Sequence, residues 1–204
     1  MRLSIYGMER YEWLQLAKWI MRDWQGGRFS GPVLSTHNRW IIQIPRLWRI
    51  FCLKGKQRTY QDMLNNLFCP IFEATLFPEK NPEVSELLKH IVAFDSVDDE
   101  GSAEDPCSCV RPSSWKDESN PAYSWQLYYL FANIKVLNIL RKSMGLNTFT
   151  FRPHAGETGD AMHLAATYML SQSINHGINL DHQVSLQYLY YLDQVSNIMN
   201  IRHP

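Results

Sequence analysis

The 204-residue sequence predicts an α/β fold built on parallel strands. Short β-type runs alternate along it with longer runs whose apolar residues recur at helical spacing, the order that parallel architecture requires. Hydrophobic residues make up 45% of the chain and aromatic residues 13%, enough to demand a packed core and too many for a disordered chain. No glycine-rich phosphate loop follows any strand, which weakens a nucleotide-binding doubly wound sheet. Five strands with intervening helices fit either an open sheet or part of a β/α barrel, and periodicity alone does not choose between them.

The elements follow in order. Leu3–Tyr6 reads as a strand that stops at Gly7. From Glu9 to Trp24, Trp13, Leu16, Ala17 and Ile20 mark one helical face. Trp40–Ile44 is a second strand, ended by Pro45, which has no N–H to donate to a ladder. Thr59 is placed to cap a helix to Leu67, and Pro82 suits the first turn of another to Lys89. His90–Asp95 is a third strand. The stretch from Gly101 to Asn120 is rich in Ser, Pro and charge and reads as a surface loop. A long aromatic helix from Tyr123 to Ser143 can close at Gly145. A fourth strand, Thr148–Phe151, is followed by a helix from Ala161 to Leu170 with Asp160 as its cap. A short strand at Ile174–His176 and a last helix from Val184 to Gln194 complete the pattern. The tail from Ser196 to Pro204 resembles nothing that would finish a domain.

Twenty basic residues balance twenty acidic ones, so no net field draws the chain to nucleic acid or a membrane surface. The N-terminus has no apolar run of signal-peptide length, and no stretch approaches the ~20 apolar residues that span a bilayer. Cys52, Cys69, Cys107 and Cys109 lack the spacing of a disulfide framework. Cys52 and Cys69 read as small core residues of a protein in a reducing compartment such as the cytosol. Cys107-x-Cys109 has the form of a metal clip but has no His nearby, whereas zinc sites are built from paired ligand sets.

Chemistry-bearing residues are densest in Phe151-Arg152-Pro153-His154-Ala155-Gly156-Glu157-Thr158-Gly159. On a strand, Thr148, Thr150, Arg152 and His154 share one face, while Phe149 and Phe151 share the other. In a barrel the Phe face would pack on helices. His154 would then stand at the carboxyl end of its strand, where barrel active sites are built. Its neutral imidazole suits a metal, and Glu157 offers a carboxyl that can shuttle a proton. One strand later, Asn175-His176-Gly177 places a second His at a strand end. By spacing alone these patterns are common. His163 and His182 read as ordinary polar positions, Tyr188, Tyr190 and Tyr191 as packing residues, and Asp98-Asp99 as part of a solvated acidic turn.

Taken with Arg2-Leu3-Ser4-Ile5-Tyr6-Gly7, Ile42-Gln43-Ile44-Pro45-Arg46-Leu47, Phe72-Glu73-Ala74-Thr75, Phe94-Asp95-Ser96-Val97-Asp98-Asp99-Glu100, Asn120-Pro121-Ala122-Tyr123 and Leu186-Gln187-Tyr188-Leu189-Tyr190-Tyr191-Leu192, these segments resemble the AMP deaminase family in its own order. The resemblance implies a zinc-dependent (β/α)8 TIM-type barrel that converts AMP and water to IMP and ammonia. It makes His154 a zinc ligand, Glu157 the carboxyl that contacts the purine and passes a proton to its ring nitrogen, and His176 the base that takes a proton from the attacking water. Adenosine deaminase, which shares the His-Ala-Gly-Glu element, is the weaker match. The smaller zinc deaminases, with H-x-E and P-C-x-x-C signatures, do not match at all.

The departures are as specific. The family's His-x-His pair, which would give two further zinc ligands, occurs nowhere in this sequence, and its late Asp-Asp segment has no counterpart. The expectation is therefore a partial barrel, about strands two to six of eight, over residues 1–195, with a divergent tail at 196–204 in place of the seventh strand. Such a chain would hold one zinc ligand of the expected set and be inactive alone. Its bare strand edges would invite self-association, and the alternative to an enzyme is a non-catalytic fragment that pairs with full-length deaminase subunits or regulates them.

Overall fold

The computed structural model describes residues 1–20, 24–25, 28–29, 37–55, 57–102 and 110–198. In chain order these form β1 (Arg2–Ser4), α1 (Glu12–Ile20), β2 (Trp24–Gln25), β3 (Arg28–Phe29), β4 (Trp40–Pro45), α2 (Trp48–Leu53), α3 (Tyr60–Leu76), α4 (Pro82–His90), β5 (Ile91–Val97), α5 (Tyr123–Ser143), β6 (Thr150–Phe151), β7 (His154–Ala155), α6 (Met162–Leu170), β8 (Ser173–His176), α7 (Val184–Leu192) and β9 (Ser196–Ile198). Short 3-10 turns at Pro78–Lys80 and Ile178–His182 separate some of them.

Two parallel sheets carry the fold, in the orders β1-β4-β5-β6 and β7-β8-β9, with β2 and β3 pairing antiparallel as a small ribbon. β6 and β7 are halves of one extended segment interrupted at Arg152-Pro153. The Arg152 N–H still donates to Phe94 O at 2.8 Å, and Pro153 O accepts from the Asn175 N–H at 2.9 Å. Proline has no N–H of its own to give, so the ladder breaks there and resumes with a new partner strand. The segment 150–155 thus joins the sheets, and β1, β4, β5, β6/β7, β8 and β9 follow one another in sequence order, all parallel.

The main core lies between the first sheet and its helices. Phe94 of β5 meets Phe149 edge-on at 5.3 Å and Trp13 of α1 at 6.2 Å, geometries that favour the positive ring edge over a neighbour's face. β5 is buried along most of its length, as expected for a central parallel strand covered on both sides. Phe149 and Phe151 face this helix-side core, while Thr150 and His154 stay half-buried on the other face. A smaller cluster of Ala155, Leu164, Ile174, Leu180 and Tyr190 packs beneath β7 and β8.

Several boundaries differ from the sequence reading, each for a local reason. α1 starts at Glu12 because its carboxylate turns back to accept the N–H groups of Tyr6, Gly7, Met8 and Glu9 at 2.6–3.0 Å. The helix expected to reach Trp24 is described only to Ile20, and Trp24 itself lies in β2. α3 runs past Pro70 to Leu76 because Ile71, Ala74 and Thr75 continue its buried face, which outweighs the one ladder bond that Pro70 cannot make. Its start is as expected, with Thr59 and Asp62 in a reciprocal capping box. The strand expected at Thr148 begins at Thr150, since the Asn138 side chain takes both Phe149 N (2.8 Å) and Phe149 O (2.7 Å). Asp160 accepts from Met162 N at 2.7 Å, one turn position ahead of the helix proper. α2 has no counterpart in the sequence reading.

At the C-terminal end, Ser196–Ile198 forms a parallel strand on β8, with Ser173 opposite Ser196 and Asn175 opposite Ile198. A segment expected to contribute no element therefore extends the strand series by one. Tyr190 is buried as a packing residue should be, but Tyr188 and Tyr191 are exposed, on a helix whose main contacts among the described residues are α6 and the 178–182 turn. Cys52 and Cys69 are free, half-buried thiols. Cys107 and Cys109 lie outside the described residues. No described helix is long and apolar enough to cross a membrane.

Candidate active site

The strand ends collect His154, Glu157 and His176 in one place. His154 sits on β7 and His176 ends β8, and the two rings lie with centroids 4.9 Å apart. Glu157 follows on the loop after β7, and its Oε2 is 3.3 Å from His176 Nε2. The backbone is shaped for this convergence. Gly156 has φ +75°, and His176 itself has φ +76°, a left-handed conformation unusual for a residue with a Cβ. Strained backbone of this kind is retained where the surroundings over-determine it, and it clusters at functional sites.

His154 is oriented from behind. Its Nδ1 lies 2.9 Å from Oδ1 of Asp95, a fully buried carboxylate on β5. A carboxyl group on one ring nitrogen of a histidine fixes the ring and turns the other nitrogen, here Nε2, away from it. Burial raises the Asp95 carboxyl above the usual range, opposed by the hydrogen bond and charge of His154, the charge of Arg2 and the Ser96 backbone. Arg2 Nε lies 3.3 Å from Asp95 Oδ2, and the same guanidinium also hydrogen-bonds Asn175 Oδ1. Asn175 Nδ2 in turn donates to Arg152 O at 2.6 Å. Side chains from β1, β5, β7 and β8 thus form one polar network.

The acidic turn after β5 differs from the sequence reading. Asp98 pairs with Arg46 at 2.6 Å, with both side chains buried. Glu100 is buried, and its Oε2 accepts from Gly156 N at 2.6 Å and Glu157 N at 3.1 Å. His163, read as an ordinary polar position, is buried 3.9 Å from both Asp98 and Glu100, and its ring lies on Tyr123 at 4.3 Å. Only Asp99 keeps a solvated turn role, capping Ser102. Tyr123 Oη reaches Ser96 O (2.9 Å) and His154 O (2.8 Å), tying α5 to the strand end.

Asp95, Glu100, Arg2 and Asn175 escaped the sequence reading as site residues. Asp95 carried a usable signal, since a carboxylate inside the apolar run Ile91–Val97 needs a buried partner. For the others the partners are remote in sequence, and no local pattern points to them.

As a metal site the arrangement fits in part. His154 brings a half-buried imidazole held by Asp95, but among the described residues no group of three or more His, Cys, Asp or Glu is placed to hold a metal ion. Fold and site together define an α/β protein with a His-and-carboxylate centre at the carboxyl ends of parallel strands, the side on which such sheets place their chemistry.

The family model for AMP deaminase matches residues 1–201. The chain is 45% identical over 201 residues to an AMP deaminase of Arabidopsis thaliana, covering 98% of this chain and 23% of that protein. It is 43% identical over 206 residues to AMP deaminase 1 of Homo sapiens (98% and 26%) and 42% over 201 residues to an AMP deaminase of Schizosaccharomyces pombe (98% and 23%). The chain belongs to the AMP deaminase family, and it spans about a quarter of the length of these relatives. The match continues beyond Val195, where the sequence resemblance was expected to fail, in step with β9.

Proposed function

We propose that this chain carries the base-side portion of an AMP deaminase site, the part that handles the purine and the protons of its hydrolytic deamination. The meeting of His154, His176 and Glu157 carries this reading, together with membership of the family. In the overall reaction the C–N bond to the amine of AMP breaks and a C–O bond from water forms, giving IMP and ammonia. His176 accepts the proton that water loses on attack. Glu157 delivers a proton to the ring nitrogen, so that charge does not build on the purine. Its side chain is 56% exposed and is free to turn from His176 towards a bound base. His154 would hold zinc, with Asp95 fixing its ring, and the ion when bound supplies Lewis acidity that lowers the pKa of water. The six parallel strands are taken as consecutive strands of a (β/α)8 barrel. The reach of Arg2 across to Asn175 supports that curvature.

The test is a chimera in which this chain replaces its counterpart in the Arabidopsis relative. AMP hydrolysis is expected, falling by roughly 10²–10⁴ on Glu157→Ala or His176→Ala. Full activity in either variant sinks the assignment. Among its described residues the isolated chain gathers no group of three or more His, Cys, Asp or Glu, where zinc sites use three or more protein ligands. Zinc analysis and AMP-to-IMP assay of the purified chain are therefore expected to show neither stoichiometric zinc nor turnover. Zinc-dependent turnover by the chain alone would overturn that expectation.

A further inference from the structure

We infer that Glu100 is a positioning residue for Glu157, holding the backbone of the loop that carries it while leaving its side chain free to move. The inference rests on the proton-transfer role proposed for Glu157, but its geometry stands by itself. Glu100 follows β5 by three residues, and its side chain is 4% exposed. Both hydrogen bonds to the loop, from Gly156 N and Glu157 N, end on one oxygen, Oε2. Two successive N–H groups converge in this way because Gly156 is left-handed, making a concavity of backbone donors suited to an anion.

The loop is gripped on its other sides as well. Asn179 N donates to Gly156 O at 2.9 Å, and Asn179 Nδ2 to Gly159 O at 3.2 Å. A Cβ on Gly159 would lie 1.9 Å from Glu100 O, so the loop backbone presses directly on the Glu100 backbone. A Cβ on Gly156 would lie 2.7 Å from Leu164. Behind Glu100, His163 stands 3.9 Å from the same oxygen and is itself held against Tyr123. The carboxyl therefore projects from a fixed base across a fixed gap, and side-chain length decides whether it reaches. Two donors on a single oxygen also mean that an amide oxygen in the same place would serve. Shortening the side chain by one methylene would not.

Amide hydrogen exchange on the full chain, resolved by residue, tests this without AMP or metal. Its failure is thereby separable from failure of the deaminase reading. Glu100→Ala should speed exchange at Gly156 and Glu157 by about tenfold or more, while amides of α4 keep the wild-type rate. Glu100→Gln should restore protection and Glu100→Asp should not, a pattern that loss of charge or of general stability cannot produce. Unchanged exchange in Glu100→Ala, an equal rise at every amide, or Gln no better than Asp would each overturn the inference. If Glu100→Ala does not fold, the Gln and Asp variants decide it.

Discussion

Arg2, on the first strand, donates to the side chain of Asn175, on a strand separated from it by β4, β5 and the joined β6/β7. Strands sit ~4.8 Å apart in a sheet, so a flat array would put these residues roughly 19 Å apart, beyond the reach of an arginine. The array therefore curls, and Arg2 crosses its concave side, meeting Asp95 on the way. A double-mutant cycle of Arg2→Met and Asn175→Ala, read by urea denaturation, should give a coupling of about 0.5–2 kcal/mol. Additive effects would mean that the two side chains do not meet.

Asp95 is the acceptor on which Arg2 and His154 both depend, and it is fully buried. Asp95→Ala removes the acceptor from the His154 imidazole and the ion pair from the Arg2 guanidinium, which keeps its bond to Asn175. Unfolding free energy is expected to fall by about 2–4 kcal/mol, since breaking a buried pair costs more than the pair is worth. A loss below ~1 kcal/mol would show that water replaces the carboxylate, and the orientation assigned to His154 would lose its support.

What the sequence disclosed and what it withheld divide along contact distance. Thr59 and Asp62 form their box because the two are three residues apart, and such pairs can be read locally. The apolar spacing in α5 and the closing turn at Gly145 are legible for the same reason. Glu100 was not, because consecutive acids resemble a solvated turn until the loop at 156–159 folds over them from more than fifty residues away. His163 became a buried residue through contact with Asp98 and Tyr123, again from distant segments. The grouping of His154, Glu157 and His176 was legible only through family resemblance, since their spacing fits many proteins.

Glycines 145 and 159 separate two costs that a substitution can carry. Both are left-handed, with φ +70° and +75°, so a side chain strains either one. Around Gly145 nothing among the described residues lies within 4 Å of an added Cβ, whereas at Gly159 the Glu100 carbonyl oxygen is 1.9 Å away. Gly145→Ala should therefore cost only the backbone penalty, ~1 kcal/mol. Gly159→Ala should cost at least about 1 kcal/mol more, or displace the loop, because rigid backbone cannot move aside as a flexible side chain would. Thermal or urea melts of the two variants give the comparison directly, and equal losses would contradict the close approach of the two loops.

Ser196–Ile198 lies parallel on β8, whose residues carry His176 at their end and Asn175 in the polar network. A strand paired on one side only has unpaired N–H and C=O groups along its free edge. Deleting residues 196–204 should therefore expose one edge of β8 and speed amide exchange there several-fold, with little change in β4 and β5 of the other sheet. It should also loosen the small cluster around Ile174 and Tyr190, visible as a lower urea midpoint. A chain ending at Val195 that keeps both the midpoint and the exchange pattern would show that these residues contribute no strand, as the sequence alone suggested.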